Sequence, residues 1–129
     1  MTLLICIAAG ITSIVTSSSD EKLKSIERID PSIRSINYKT ADVIGEVLNL
    51  TGDKGVDLVL NNVGISSIPK DLEVVRQKGS VALVGFLDGV SADYSPNVLS
   101  AIMIKACKLQ LVRSKTSLPQ MLTRCIGAY

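Results

Sequence analysis

Short apolar runs alternate with longer stretches of helical periodicity along most of the chain. Residues 11–16 are apolar and β-branched and predict a buried strand. They give way to Ser17, Ser18, Ser19 and Asp20, good helix caps ahead of Glu21. Leu23 and Ile26 then mark one face of a helix predicted from Asp20 to about Ile29, and Asp30, Pro31 and Ser32 stop it. A short strand is predicted at 35–38. Thr40 is the expected cap of a helix from Ala41 to Leu50, where Val43, Ile44, Val47 and Leu48 have helical spacing, and Gly52 suits the left-handed residue past its end. Residues 56–60 predict the next strand, and Asn61 to Gly64 the loop at its carboxyl end. A helix from about Ile68 to Val75, with Pro69 in its first turn, leads through Gln77, Lys78 and Gly79 into residues 80–84, the strongest strand of the chain. A helix at 98–105, a last strand at 109–112 and the start of a helix at 119–126 complete the pattern.

Strand and helix in alternation, joined by a few residues, predict parallel βαβ units and hence a doubly wound α/β sheet. The apolar run from Leu3 to Val15 admits two readings, a buried element or a secretory leader. No Lys or Arg precedes it and Thr12 and Ser13 interrupt it, which favours the buried element. It is too short to span a bilayer.

Composition narrows the chemistry. The chain has 129 residues, 47% hydrophobic, 3% aromatic and 20% charged, enough for one globular domain. A net charge of +2 without blocks of like charge argues against a nucleic-acid partner, and no membrane partner is expected. Histidine is absent, which excludes Ser-His-Asp and Cys-His mechanisms and every His-containing zinc site. Cys6, Cys107 and Cys125 are odd in number and widely spaced, the usage of a reducing, cytoplasmic compartment, and each is expected to pack as a small hydrophobe.

Parallel sheets bind ligands at the carboxyl ends of their strands. One rim then gathers Ser17 to Ser19, Asn37 to Lys39, Asn61 to Gly64 and Gly85 to Leu87. In a dinucleotide-binding domain the end of the second strand carries an Asp or Glu that selects NAD by accepting from the ribose hydroxyls. Serines occupy that place here, with Lys22 one helical turn on and Tyr38 and Lys39 on the neighbouring loop. Hydroxyls and an ammonium group suit a 2′-phosphate, which a carboxylate repels. The alternative is that the serines only cap a helix and the lysines are solvated.

The segments Ala8-Ala9-Gly10, Thr16 to Leu23, Ile36 to Lys39, Leu50 to Asp57 and Gly79 to Gly85, in this order, resemble the medium-chain dehydrogenase/reductase superfamily, and within it the zinc-type alcohol dehydrogenase-like and quinone oxidoreductase-like branch. The resemblance covers about Thr2 to about Arg124. It implies a Rossmann-like cofactor domain at 1–129 in which Leu3 to Ala9 matches the helix after the glycine-rich loop. The first strand and that loop have no counterpart, so a truncated domain is expected. Nor does the amino-terminal domain, which carries most substrate contacts and metal ligands. Asp30-Pro31 and Gln77-Lys78 depart from the family's usual turns. Without the first strand two strand edges lack a partner, unless Leu3 to Ile7 is itself a strand that fills the gap.

By resemblance Ser17, Ser18 and Lys22 face the 2′-phosphate of NADP and Tyr38 the adenosine end. Val63, Gly64, Gly85, Phe86 and Leu87 border the nicotinamide ribose and ring. No matched residue is an acid, a base or a zinc ligand. The resemblance thus implies the cofactor-binding portion of an NADP-dependent oxidoreductase, with NADP affinity weak or lost in this chain. The alternative is an inactive remnant or interaction module that forms a homodimer, or pairs with a full-length relative, through the edge strand at 109–112.

Overall fold

The computed structural model describes residues 2–85, 87 and 92–111. It divides between Val47 and Leu48 into two compact units.

The first unit opens with helix α1 (Thr2–Ala8), which settles residues 3–7 as helix and not as a strand. Strand β1 (Ser13–Ser17), helix α2 (Asp20–Glu27) and strand β2 (Ile33–Asn37) follow. Ser19 caps α2: its backbone is extended, and its hydroxyl accepts from the Lys22 amide at 3.4 Å. Asp20 and Glu21 in the first turn complement the helix dipole. Beyond α2 the Asp30 carboxylate accepts from the Ser32 amide at 2.8 Å, and hydrogen bonding from Ser32 holds its pKa below the usual carboxylate value. Strands β1 and β2 run parallel, Ser13 opposite Ile33 and Ser17 opposite Asn37. Leu23, Ile33 and Ile36 are buried, and α2 packs on both strands. β1, expected to be buried, is half-buried throughout except at exposed Thr16, because among the described residues it has a strand on one edge only.

Helix α3 (Val43–Thr51) crosses the boundary between the units. Its cap is Asp42 and not Thr40. The Asp42 carboxylate accepts from the Ile44 amide at 3.2 Å, while the Thr40 amide turns back to the Asn37 carbonyl at 3.2 Å. Gly52 has φ 59, the left-handed value predicted for the end of this helix.

The second unit holds strand β3 (Val56–Asn61), a 3-10 turn (Ile65–Ser67), helix α4 (Ile68–Val74), strand β4 (Val75–Leu83), helix α5 (Pro96–Lys105) and strand β5 (Lys108–Leu111). The order is β3-β4-β5, all parallel. Central β4 supplies Val75, Val81 and Leu83 to a core completed by Ile68 and Leu72 of α4 and Val98 of α5. β4 begins at Val75, earlier than its pattern predicts, because the register breaks: Val56 faces Val75, but Leu58 already faces Ser80. Lys78 takes up the excess at φ 61, so the turn chemistry read from residues 77–79 lies inside the strand. Gly55 is required where it stands. At φ 80, a Cβ on it would lie 2.5 Å from the Val74 carbonyl oxygen. The Lys105 ammonium caps the far end of α4, donating to the carbonyls of Leu72 (2.5 Å), Glu73 (3.1 Å) and Val75 (2.9 Å). Cys6 and Cys107 are free and half-buried, and Cys107 packs on the core. Val112, Cys125 and the helix expected at 119–126 lie outside the described residues.

The five strands thus form two parallel ladders, β2-β1 and β3-β4-β5.

Candidate functional site

The site residues fall on the carboxyl ends of strands in both units. In the first unit, Ser17 closes β1 and its hydroxyl accepts from the Ser19 amide at 3.3 Å. The Tyr38 amide donates to the Ser17 carbonyl at 3.1 Å, which brings the ends of β1 and β2 together. Ser18, Lys22 and Tyr38 are exposed beside them. Asn37 arranges the charge on this rim. Its Nδ2 donates to the Asp20 carboxylate at 2.6 Å and its Oδ1 accepts from the Lys39 amide at 3.0 Å. The first carboxylate after β1 is thereby engaged by an amide, while the hydroxyl of Ser18 and the ammonium of Lys22 stay accessible. A donor set of this kind fits a phosphate monoester.

In the second unit the organising residue is Asn61, buried at the end of β3. Its Oδ1 accepts from the amides of Val63 and Gly64, both at 2.9 Å. Its Nδ2 reaches the Gly64 carbonyl (2.9 Å), the Ser67 hydroxyl (2.8 Å) and the Asp71 carboxylate (2.6 Å). Its backbone carbonyl accepts from Val84 at 2.8 Å and Gly85 at 3.4 Å. Three of the expected rim residues, Val63, Gly64 and Gly85, are therefore bonded to one asparagine. Gly64 adopts φ 141, open only to glycine, and a Cβ on Gly85 would lie 2.5 Å from the Asn62 carbonyl oxygen, so both glycines are dictated by the backbone. Leu87 is 86% exposed, and Phe86 lies outside the described residues. The Tyr94 hydroxyl donates to the Ile65 carbonyl and fastens the segment before α5 to this rim.

Asn37 and Asn61 lie in the rim segments that the sequence gathers but carry no role there, and Asp71 is not singled out. The two asparagines share a device: each ends a strand, accepts from the amide two residues on, and donates to a carboxylate on a helix. An Asn at a strand end before a turn is the available sequence signal. Asp71 has none. Desolvation raises its pKa from 3.8 to about 6, against an opposing hydrogen bond from Asn61. The native state thus retains a proton that the unfolded chain has lost, and stability from this group is full below pH 4 and is lost as pH rises through 6. Asp71→Asn is expected to raise stability at pH 7 by about 1 kcal/mol, after discounting for partial solvent screening, and to flatten the pH dependence between 4 and 6. Urea titrations at pH 4 and pH 7 check this.

The family model described as zinc-binding dehydrogenase matches residues 1–124. The chain belongs to this family. It lies within the medium-chain dehydrogenase/reductase superfamily, in the carboxyl-terminal, Rossmann-like domain. The 2-haloacrylate reductase of Burkholderia sp is 35% identical over 82 residues, 64% of this chain and 24% of that protein. The zinc-type alcohol dehydrogenase-like protein of Schizosaccharomyces pombe is 32% identical over 97 residues, 74% of this chain and 27% of the relative. A crystal structure of 2-haloacrylate reductase superposes with a TM-score of 0.77 at 26% identity, covering 88% of this chain and 34% of that one. The chain thus spans about a quarter of the length of these curated relatives. The sequence has no histidine, and among the described residues no group of three or more Cys, Asp or Glu is placed to hold a metal ion. Among the described residues no helix is long and apolar enough to cross a membrane.

Proposed function

We propose that this chain supplies the NADP-binding portion of an oxidoreductase that moves hydride between NADPH and a carbonyl or an activated double bond. The observation that carries the reading is the β1 rim, where Ser18 and Lys22 are accessible and Asp20 is held by Asn37. The bound nicotinamide would supply the hydride; the chain's own task is to bind and orient. Ser17, Ser18 and Lys22 take the 2′-phosphate, with Tyr38 along the adenosine. Val63, Gly64 and Gly85, fixed by Asn61, border the nicotinamide end, together with Phe86 and Leu87. The identity to a reductase of 2-haloacrylate, an activated double bond, supports this substrate class.

The test is a fluorescence titration of the 129-residue chain with NADPH and NADH. Wild type is expected to prefer NADPH. Lys22→Ala is expected to weaken NADPH about fivefold, the effect of one exposed charge-assisted hydrogen bond, and to leave NADH unchanged. Equal affinity of wild type for the two cofactors overturns the phosphate assignment.

A second reading draws on the apolar surface around β5. Leu109 and Leu111 of β5, and Leu99, Met103 and Ile104 of α5, are all exposed. Such an edge suits strand addition by a second copy or a longer relative. A native mass of twice the chain, reduced to one by Leu111→Lys, is the result expected of pairing there; a wild-type monomer at micromolar concentration overturns it.

A further inference from the structure

We propose that Asp71 is a positioning residue for the nicotinamide-side rim, acting through Asn61. The proposal rests on the site reading above and names a residue outside it. An asparagine side chain has two nearly isosteric ends, and neighbouring donors and acceptors decide which way it points. For Asn61 the backbone asks for the oxygen on one side, through the amides of Val63 and Gly64, and for the amide group on the other, through the Gly64 carbonyl at 2.9 Å. That carbonyl also accepts from the Ser67 hydroxyl at 3.1 Å, and Nδ2 has a second proton to place. Asp71 supplies a charged acceptor on that same side. At pH 7.5, above the value near 6 at which it titrates, it is a carboxylate that only accepts, and it lies 2.6 Å from Nδ2. The amide group must then face Asp71, and Oδ1 must face the two loop amides.

The consequence falls on the loop. Gly64 sits at φ 141, a conformation with no local preference behind it, and the hydrogen bonds of Asn61 to its amide and carbonyl hold it there. Both loop N–H groups point inward, so the surface that meets a ligand here is the half-exposed Val63 side chain, whose place follows from the orientation of Asn61. α4, short and packed on the core through Ile68 and Leu72, is the fixed element that carries Asp71. A hydrogen-bond acceptor on one helix therefore helps to hold the backbone at the end of a neighbouring strand.

The experiment uses the 129-residue chain at pH 7.5 and compares wild type, Asp71→Ala, Asp71→Asn and Val98→Ala. Amide resonances of Val63 and Gly64 are read by heteronuclear NMR, and affinities are read for NADPH and for 2′,5′-ADP, which lacks the nicotinamide end. Asp71→Ala is expected to shift both resonances and to weaken NADPH about tenfold, near the lower end of what one hydrogen bond to a charged group contributes, with 2′,5′-ADP unchanged. Asp71→Asn, which keeps an acceptor oxygen, is expected to restore most of both. Val98→Ala thins the same core without touching the loop and is expected to leave the two resonances in place. The proposal is overturned if Asp71→Ala leaves the resonances unmoved, if Val98→Ala moves them equally, or if NADPH and 2′,5′-ADP weaken together. Should wild type bind neither ligand, the site reading fails and this proposal with it, while shifted resonances would still report the bond between Asp71 and the loop.

Discussion

Leu83→Ala is expected to destabilise the second unit by about 3 kcal/mol, within the range of 2 to 5 kcal/mol for truncating a fully buried leucine. Leu83 is 1% exposed, lies on the central strand, and belongs to the core with Ile68, Leu72, Val75, Val81 and Val98. Strand ladders fix β4 on both sides, opposite Asn61 of β3 and Leu111 of β5, so the backbone has little freedom to collapse into the vacated space. The loss therefore includes a cavity as well as the missing transfer of apolar surface out of water. Against a net stability of about 5 to 15 kcal/mol this is a large fraction. In urea, with a slope of about 1–3 kcal/mol per molar, the midpoint should fall by roughly 1 to 3 M. A change below about 1 kcal/mol would mean that the centre of this unit lies elsewhere.

Asn61→Leu is the second large effect, also about 3 kcal/mol or more, although leucine matches asparagine closely in volume. The volume is kept and the bonds are lost. The amides of Val63 and Gly64 lose their acceptor, and Ser67 and Asp71 lose a donor. Each buried polar group left without a partner costs about 1–3 kcal/mol, and a carboxylate costs more than an amide. Asn61→Asp separates the two halves of the network. It keeps an acceptor for the loop but sets a second carboxylate beside Asp71, where Nδ2 now lies at 2.6 Å. Two such groups share a proton in acid and repel once both ionise, so Asn61→Asp should approach wild-type stability near pH 4 and fall well below it by pH 8. Urea midpoints across this pH range check both substitutions. A flat profile for Asn61→Asp would place Asp71 out of reach of position 61.

The alternation of elements was legible because each is signalled locally. β-branched runs mark β1, β3 and β4, Ser19 marks the start of α2, and Gly52 with φ 59 marks the end of α3. The errors lie where a choice between neighbours depends on geometry. Thr40 and Asp42 are both sound caps, and only the course of the chain after Asn37 decides for Asp42. The start of β4 was hidden because Lys78 at φ 61 reads as a turn although the ladder runs past it. At the candidate site the glycines and the serine run stand out in sequence, whereas the side chains that hold the two rims do not. Asn37 and Asp20 are far apart in the chain, as are Asn61 and Asp71, and neither hydrophobic periodicity nor composition carries a pairing of that kind.

Every ladder in the described chain joins strands that are consecutive in sequence: β1 with β2, β3 with β4, and β4 with β5. Each of these described ladders closes through a single crossover, so within each unit the paired strands are neighbours in the chain. Strand pairing inside a unit therefore incurs the closure entropy of one crossover at a time.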